Sequence, residues 1–173
     1  MAKNTDKTAE YANALRQSDI FFDLTEPQLS MVAALCSEVR PQNGEIIFEE
    51  NSASDELYVV TSGSVDILVS PALIQPASTG QSSDPLTVAT IRRGQTFGEV
   101  ALVDQGLRSA SARCAAKKTC LLVIPSGELI RLCDAHPELG YCLMCNIAAD
   151  LAFKIRGTDM AIREKLLWRP RLK

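Results

Sequence analysis

The spacing of apolar positions changes twice along the chain. From Thr8 to Val39 it is helical, with Leu15, Ile20, Leu24, Leu29, Val32 and Leu35 on a recurring face and a break from Phe22 to Pro27. This predicts two N-terminal helices, the second capped by Asp23 or Thr25 with Pro27 in its first turn. From Gly44 to about Ile124 the pattern shortens to β-rich runs, EIIFEE, ELYVV, SVDILVS, LTVATI, ASARCAA and TCLLVI, parted by turn residues. Several short strands at such spacing predict a sandwich or barrel. Helical spacing returns at about Pro137 and runs to Leu167 as one long helix, opened by His136-Pro137-Glu138 and with Pro170 beyond its end.

Two segments stand apart. Ser70 to Pro85 is rich in Pro, Ser and Gly and predicts an extended hairpin loop, read either as a partner-binding lid or as a dispensable insertion. On the long helix, Met144, Ala148, Leu151, Ile155, Thr158 and Ile162 alternate spacings of four and three. Such a seam either pairs two chains or lies on its own barrel. Gly157, within it, is a candidate hinge.

Composition narrows the classes. At 173 residues and 46% hydrophobic, one well-packed domain is expected, with helices over 8–40, a barrel over 44–125 and further helices over 126–167. A net charge of −3 argues against nucleic-acid binding over a broad surface, which rests on many Lys and Arg. The polar N-terminus and the lack of a run of about twenty apolar residues predict a cytoplasmic chain with no membrane partner. Five of the six cysteines follow position 100, mostly in apolar stretches, and read as reduced core thiols; Cys142-x-x-Cys145 leaves a metal or redox role open, without a second pair to complete four ligands. A single histidine, His136, leaves no metal-catalytic or nucleophilic constellation, so no metal and no enzyme activity are expected.

The chemistry concentrates between Phe97 and Ala112, FGEVALVDQGLRSASA. Gly98 allows close backbone approach, and Glu99 to Leu102 can form a helical turn with free amides. Asp104-Gln105-Gly106 reads as a turn leading to a strand that begins near Arg108. A carboxylate and a planar guanidinium at the two ends of one short segment suit a sugar hydroxyl beside a phosphate.

This segment resembles the phosphate-binding cassette of cyclic nucleotide-binding domains, shared by catabolite-activator-type regulators, protein kinase A regulatory subunits and cyclic nucleotide-gated channels. The resemblance rests on Phe97-Gly98-Glu99, on Arg108 followed by Ser109-Ala110, and on the turn glycines Gly44, Gly63 and Gly94, with Asn51 where the family usually has glycine. It implies a mainly β fold with flanking helices, an eight-stranded jelly roll (double-stranded β-helix), and cAMP or cGMP as ligand. Glu99 would then bind the ribose hydroxyl and Arg108 the cyclic phosphate, with amides from Gly98, Val100 and Ala101. Ser109 and Ala110 would border phosphate or purine beside Phe97. Thr158, just past Leu151-Ala152-x-x-Ile155-Arg156, would read the purine or else bond back to its own helix.

The resemblance also implies a sensor acting on an unknown effector protein or through a homodimer on its C-terminal helix. The alternatives are a degenerate domain serving as an interaction module, and a truncated transcription regulator. The residues after Leu167 are too few for a recognition helix, so direct DNA binding is not expected of these 173 residues.

Overall fold

The computed structural model describes residues 2–53, 55–70 and 84–167, without the side chains of 2–6, 161, 162 and 164–167. The loop predicted over Ser70 to Pro85 falls, for 71–83, outside the described residues.

Eight strands form two antiparallel four-stranded sheets. One sheet has the order β1 (Ser37–Val39), β8 (Cys120–Pro125), β3 (Glu56–Ser62), β6 (Thr96–Phe97). The other has the order β2 (Ile46–Phe48), β7 (Ser111–Cys114), β4 (Ser64–Val69), β5 (Leu86–Arg92). This alternation is the expected jelly roll. Helices α1 (Ala2–Leu15) and α2 (Glu26–Ala33) precede it, α3 (Glu99–Asp104) interrupts it, and α4 (Ser126–Ala135) and α5 (Pro137–Leu167) follow.

Why β3 and β8 are apolar at nearly every position is visible in their burial. Tyr58, Val60, Leu121 and Val123 point into the barrel, where they pack with Val65, Ile91, Phe97 and Ala112. Their alternates, Leu57, Val59, Leu122 and Ile124, face the helices and join Leu15, Ile20, Phe21, Leu29, Leu139, Leu143 and Ile147 in a second core. Strands buried on both faces lose the polar alternation of half-exposed ones. The two cores share β3 and β8, so helices and barrel are packed as one body.

The sequence reading needs correction at three places, and one open choice is decided. The N-terminal helical stretch ends at Ala33, and Ser37–Val39 pairs with Leu121–Val123 as strand β1 instead of continuing a helix. The capping choice resolves to Thr25, whose amide donates to Gln28 Oε1 at 2.9 Å, while Asp23 takes a left-handed φ of 65° in the turn before it. The strand after the cassette begins at Ser111, three residues past Arg108. The seam on α5 splits: Met144 and Leu151 pack against the core, whereas Ala148, Ile155 and Thr158 face solvent, and the Ile162 side chain is outside the described residues. The stripe that α5 buries is Leu139, Leu143 and Ile147, extended by Leu151 at spacings of four.

The remaining turn chemistry is as expected. Gly44, Gly63 and Gly94 carry positive φ, and so does Asn51, at 64°. Gly157 continues the helix with open space around it.

Candidate functional site

The cassette is held at both ends by backbone pairing. Phe97 belongs to β6 and lies opposite Tyr58 of β3. At the other end, Arg108 N donates to Ser52 O at 3.0 Å and Asn51 N to Arg108 O at 2.8 Å, so the residue that carries the charge is pinned before β7 starts. Between them Gly98 takes a φ of 86° at the head of α3, Gln105 a φ of 54° at its end, and Gly106 N donates to Asp104 Oδ1 at 2.8 Å. The chain therefore rises, turns and returns within twelve residues, which brings Arg108 back under Gly98.

Arg108 is only 3% exposed. Its Nη1 donates to Gly98 O at 3.2 Å and its Nη2 to Glu56 O at 2.7 Å. The guanidinium carbon stands 4.1 Å above the Phe48 ring and 5.7 Å from Tyr58, within a cluster completed by Phe97, which stacks on Tyr58 at 4.9 Å. Tyr58 in turn donates its hydroxyl hydrogen to Glu56 Oε2. Burial pulls the guanidinium below its usual pKa, against the pull of Tyr58 and nearby carboxylates, but leaves it a cation at any physiological pH. Among the described residues Arg108 has no ion pair, and its Nε is buried without a hydrogen-bond partner. A buried cation with a spare donor is suited to an anion with several oxygens.

Glu99, at the start of α3, is 4% exposed and is not alone. Lys154, from α5, reaches its Oε1 at 2.8 Å and also approaches Asp150 Oδ2 at 2.7 Å and Thr96 O at 3.1 Å. Burial alone would lower the Lys154 pKa; Glu99 and Asp150 reverse that and raise it. The long helix is thus tied to the cassette by one ammonium.

Sequence reasoning found the two charges and missed what surrounds them. Phe97, Gly98, Glu99, Ala101 and Arg108 gather in the cassette as expected, with Val100, Ser109 and Ala110 nearer its surface. Thr158 lies exposed on the outer half of α5 and donates to Lys154 O at 3.0 Å, the helix-bonded alternative. Phe48, Tyr58 and Glu56 were not singled out, because each looks like an ordinary strand residue. Lys154 sat unread inside the Leu151-Ala152-x-x-Ile155 pattern, although a lysine one turn after an aspartate on the face of α5 that meets the barrel was a usable signal.

A family model described as the cyclic nucleotide-binding domain matches residues 38–136, more than half of the chain. The chain belongs to this family. Among curated relatives it is 27% identical over 148 residues to the cyclic AMP receptor protein of Thermus thermophilus, covering 86% of this chain and 62% of that protein. It is 32% identical over 124 residues to a cAMP-dependent protein kinase regulatory subunit of Hypocrea atroviridis, covering 68% of this chain and 26% of the relative. The crystal structure of a cyclic nucleotide-binding protein from Geobacter metallireducens superposes with a TM-score of 0.67 at 27% identity, covering 83% of this chain and 97% of that one. The chain thus spans less than two thirds of the curated relatives' length, and what it shares with them is the cyclic nucleotide-binding regulatory domain. No group of three or more metal-ligating side chains occurs among the described residues, and no described helix is long and apolar enough to cross a membrane.

Proposed function

We propose that this domain is a non-catalytic cytoplasmic sensor that binds cAMP, and cGMP less well, and signals through its C-terminal helix. The observation that carries the reading is Arg108, a buried guanidinium with no ion pair among the described residues and with an unpartnered Nε, lying beneath a glycine-headed helical turn. In this reading the cyclic phosphate supplies the missing anion. The Gly98, Val100 and Ala101 amides donate to it, and Glu99 accepts from the ribose hydroxyl. Ser109 and Ala110 border the phosphate and purine. Thr158 follows Lys154 by four residues and so shares its face of α5, which makes it the candidate for the purine once its hydroxyl leaves the Lys154 carbonyl.

The output is α5. Tyr141, Cys145, Ala148, Ala152 and Ile155 alternate spacings of four and three, and all but the half-buried Ala152 are exposed. We propose that this stripe, rotated from the seam read in the sequence, pairs two copies in a homodimer or receives an effector protein. Small residues at its centre allow close helix approach.

A second reading is favoured by the same burial. With Glu99 and Arg108 both almost sealed, and both guanidinium Nη atoms already bonded to carbonyls, the domain would serve as an interaction module that takes no nucleotide. Isothermal titration with cAMP separates the two: saturable binding that is lost with Arg108→Ala supports the sensor, and no heat above dilution supports the module.

A further inference from the structure

The reading of Glu99 as the sugar-binding carboxylate leaves open what keeps that carboxylate aimed. A carboxylate only 4% exposed has little water to hold it and is placed by its protein partners. Its ion-pair partner among the described residues comes from a different element, 55 residues further on: Lys154 of α5. The Lys154 ammonium donates to Glu99 Oε1 and Thr96 O and pairs with Asp150 Oδ2 at 2.7 Å, so oxygens from three elements hold its position. It engages Glu99 on Oε1, and no hydrogen bond among the described residues uses Oε2. One oxygen is thereby fixed and the other left to accept.

The same ammonium fastens α5. Up to Leu151 the helix is held by apolar packing through Leu139, Leu143 and Ile147. Beyond it Phe153, Ile155 and Met160 are all more than 60% exposed, and Lys154 is the polar tie from this half to the barrel among the described residues. The helix and the sugar carboxylate therefore share one link.

On the reading that a cyclic nucleotide is the ligand, we infer that Lys154 is a positioning residue for sugar recognition: from α5 it holds Glu99 by Oε1 with Oε2 free, so that acceptance of the ribose 2′-hydroxyl and seating of the outer half of α5 depend on each other. Asp150, one turn before it on the same helix, aims the ammonium. Because the coupling is reciprocal, a nucleotide that engages Glu99 also steadies α5.

The test is titration calorimetry with cAMP and 2′-deoxy-cAMP on the wild-type chain, Lys154→Met and Lys154→Arg, together with hydrogen exchange of the ligand-free proteins over residues 150–160. Lys154→Met is expected to weaken cAMP by about tenfold or more while moving 2′-deoxy-cAMP by less than about threefold, and Lys154→Arg to restore most of the difference. Equal losses for both nucleotides, or no loss for either, overturn the positioning role. The exchange measurement stands apart from the ligand reading: both Lys154→Met and Glu99→Gln are expected to speed exchange in the outer half of α5, and unchanged exchange in both overturns the link. A wild-type chain that binds neither nucleotide removes the ligand reading and with it the sugar role, whatever the exchange shows of the helix.

Discussion

The carbonyl oxygen of Gly98 accepts a hydrogen bond from Arg108 Nη1 at 3.2 Å, so the two ends of the cassette meet. A methyl group built at Gly98 would lie 2.5 Å from that same Nη1 and 3.0 Å from Glu56 O, at a φ of 86° that side chains rarely adopt. The conformation that lets the turn form is also the one that makes room for the guanidinium.

Gly98→Ala should therefore cost about 1–3 kcal/mol of stability through backbone strain and also displace Arg108, lowering both the melting temperature and nucleotide affinity. Gly63→Ala provides the contrast. Its methyl would meet the Thr119 backbone at 2.6 Å, at the far turn of β3 and β4, so it should lower the melting temperature and leave affinity nearly unchanged. Thermal melts paired with titrations distinguish the two variants.

Thiol chemistry should sort the cysteines by place. Cys36 donates to Val32 O at 3.4 Å, and burial pushes its pKa up to about 12; Cys145 lies exposed on α5. Alkylation at pH 8 followed by peptide mass spectrometry should label Cys145 quickly and Cys36 only on unfolding. If α5 pairs in parallel, Cys145 faces its copy, and mild oxidation should trap a disulfide-linked dimer that Ile155→Glu suppresses.

Stability should decline in alkali. Cys36 holds its proton from its ordinary value of 9.0 up to about 12, and Lys154 holds its own above 10.5 because Glu99 and Asp150 outweigh the opposing effect of burial. Above those ordinary values the unfolded chain releases protons that the folded chain keeps. Stability from these two groups is therefore complete below pH 9 and falls as pH rises toward and through their folded-state values. Melting temperatures measured from pH 7 to 11 should fall along the alkaline limb, and less steeply for Cys36→Ala.

How far the chain could be read from its letters depended on how local each determinant was. The strands β3, β4 and β8 and the span of α5 were legible because long apolar runs and end signals mark them. β1 and β6 were not, being three and two residues long, and β1 carries the exposed Glu38 that resembles a helix surface. Glu99 and Arg108 were legible because one stretch of ten residues contains both. Lys154 and Phe48 were not, since the first meets Glu99 only after the barrel and two helices have folded, and the second meets Arg108 only across the barrel interior. The heptad on α5 was read one face away, because periodicity alone does not say which of two neighbouring apolar stripes a helix buries.

The central claim is that Arg108 is a buried cation awaiting the phosphate of a cyclic nucleotide, and calorimetry with cAMP on the wild-type chain and Arg108→Ala tests it most directly. Removing one partner of a buried charge pair costs about 2–5 kcal/mol, about 30- to 4,000-fold in affinity. The account predicts saturable one-site binding to the wild-type chain and a loss in that range for the variant, with a smaller loss for Glu99→Ala. Equal affinity in wild type and Arg108→Ala, or no binding to the wild-type chain, would contradict it.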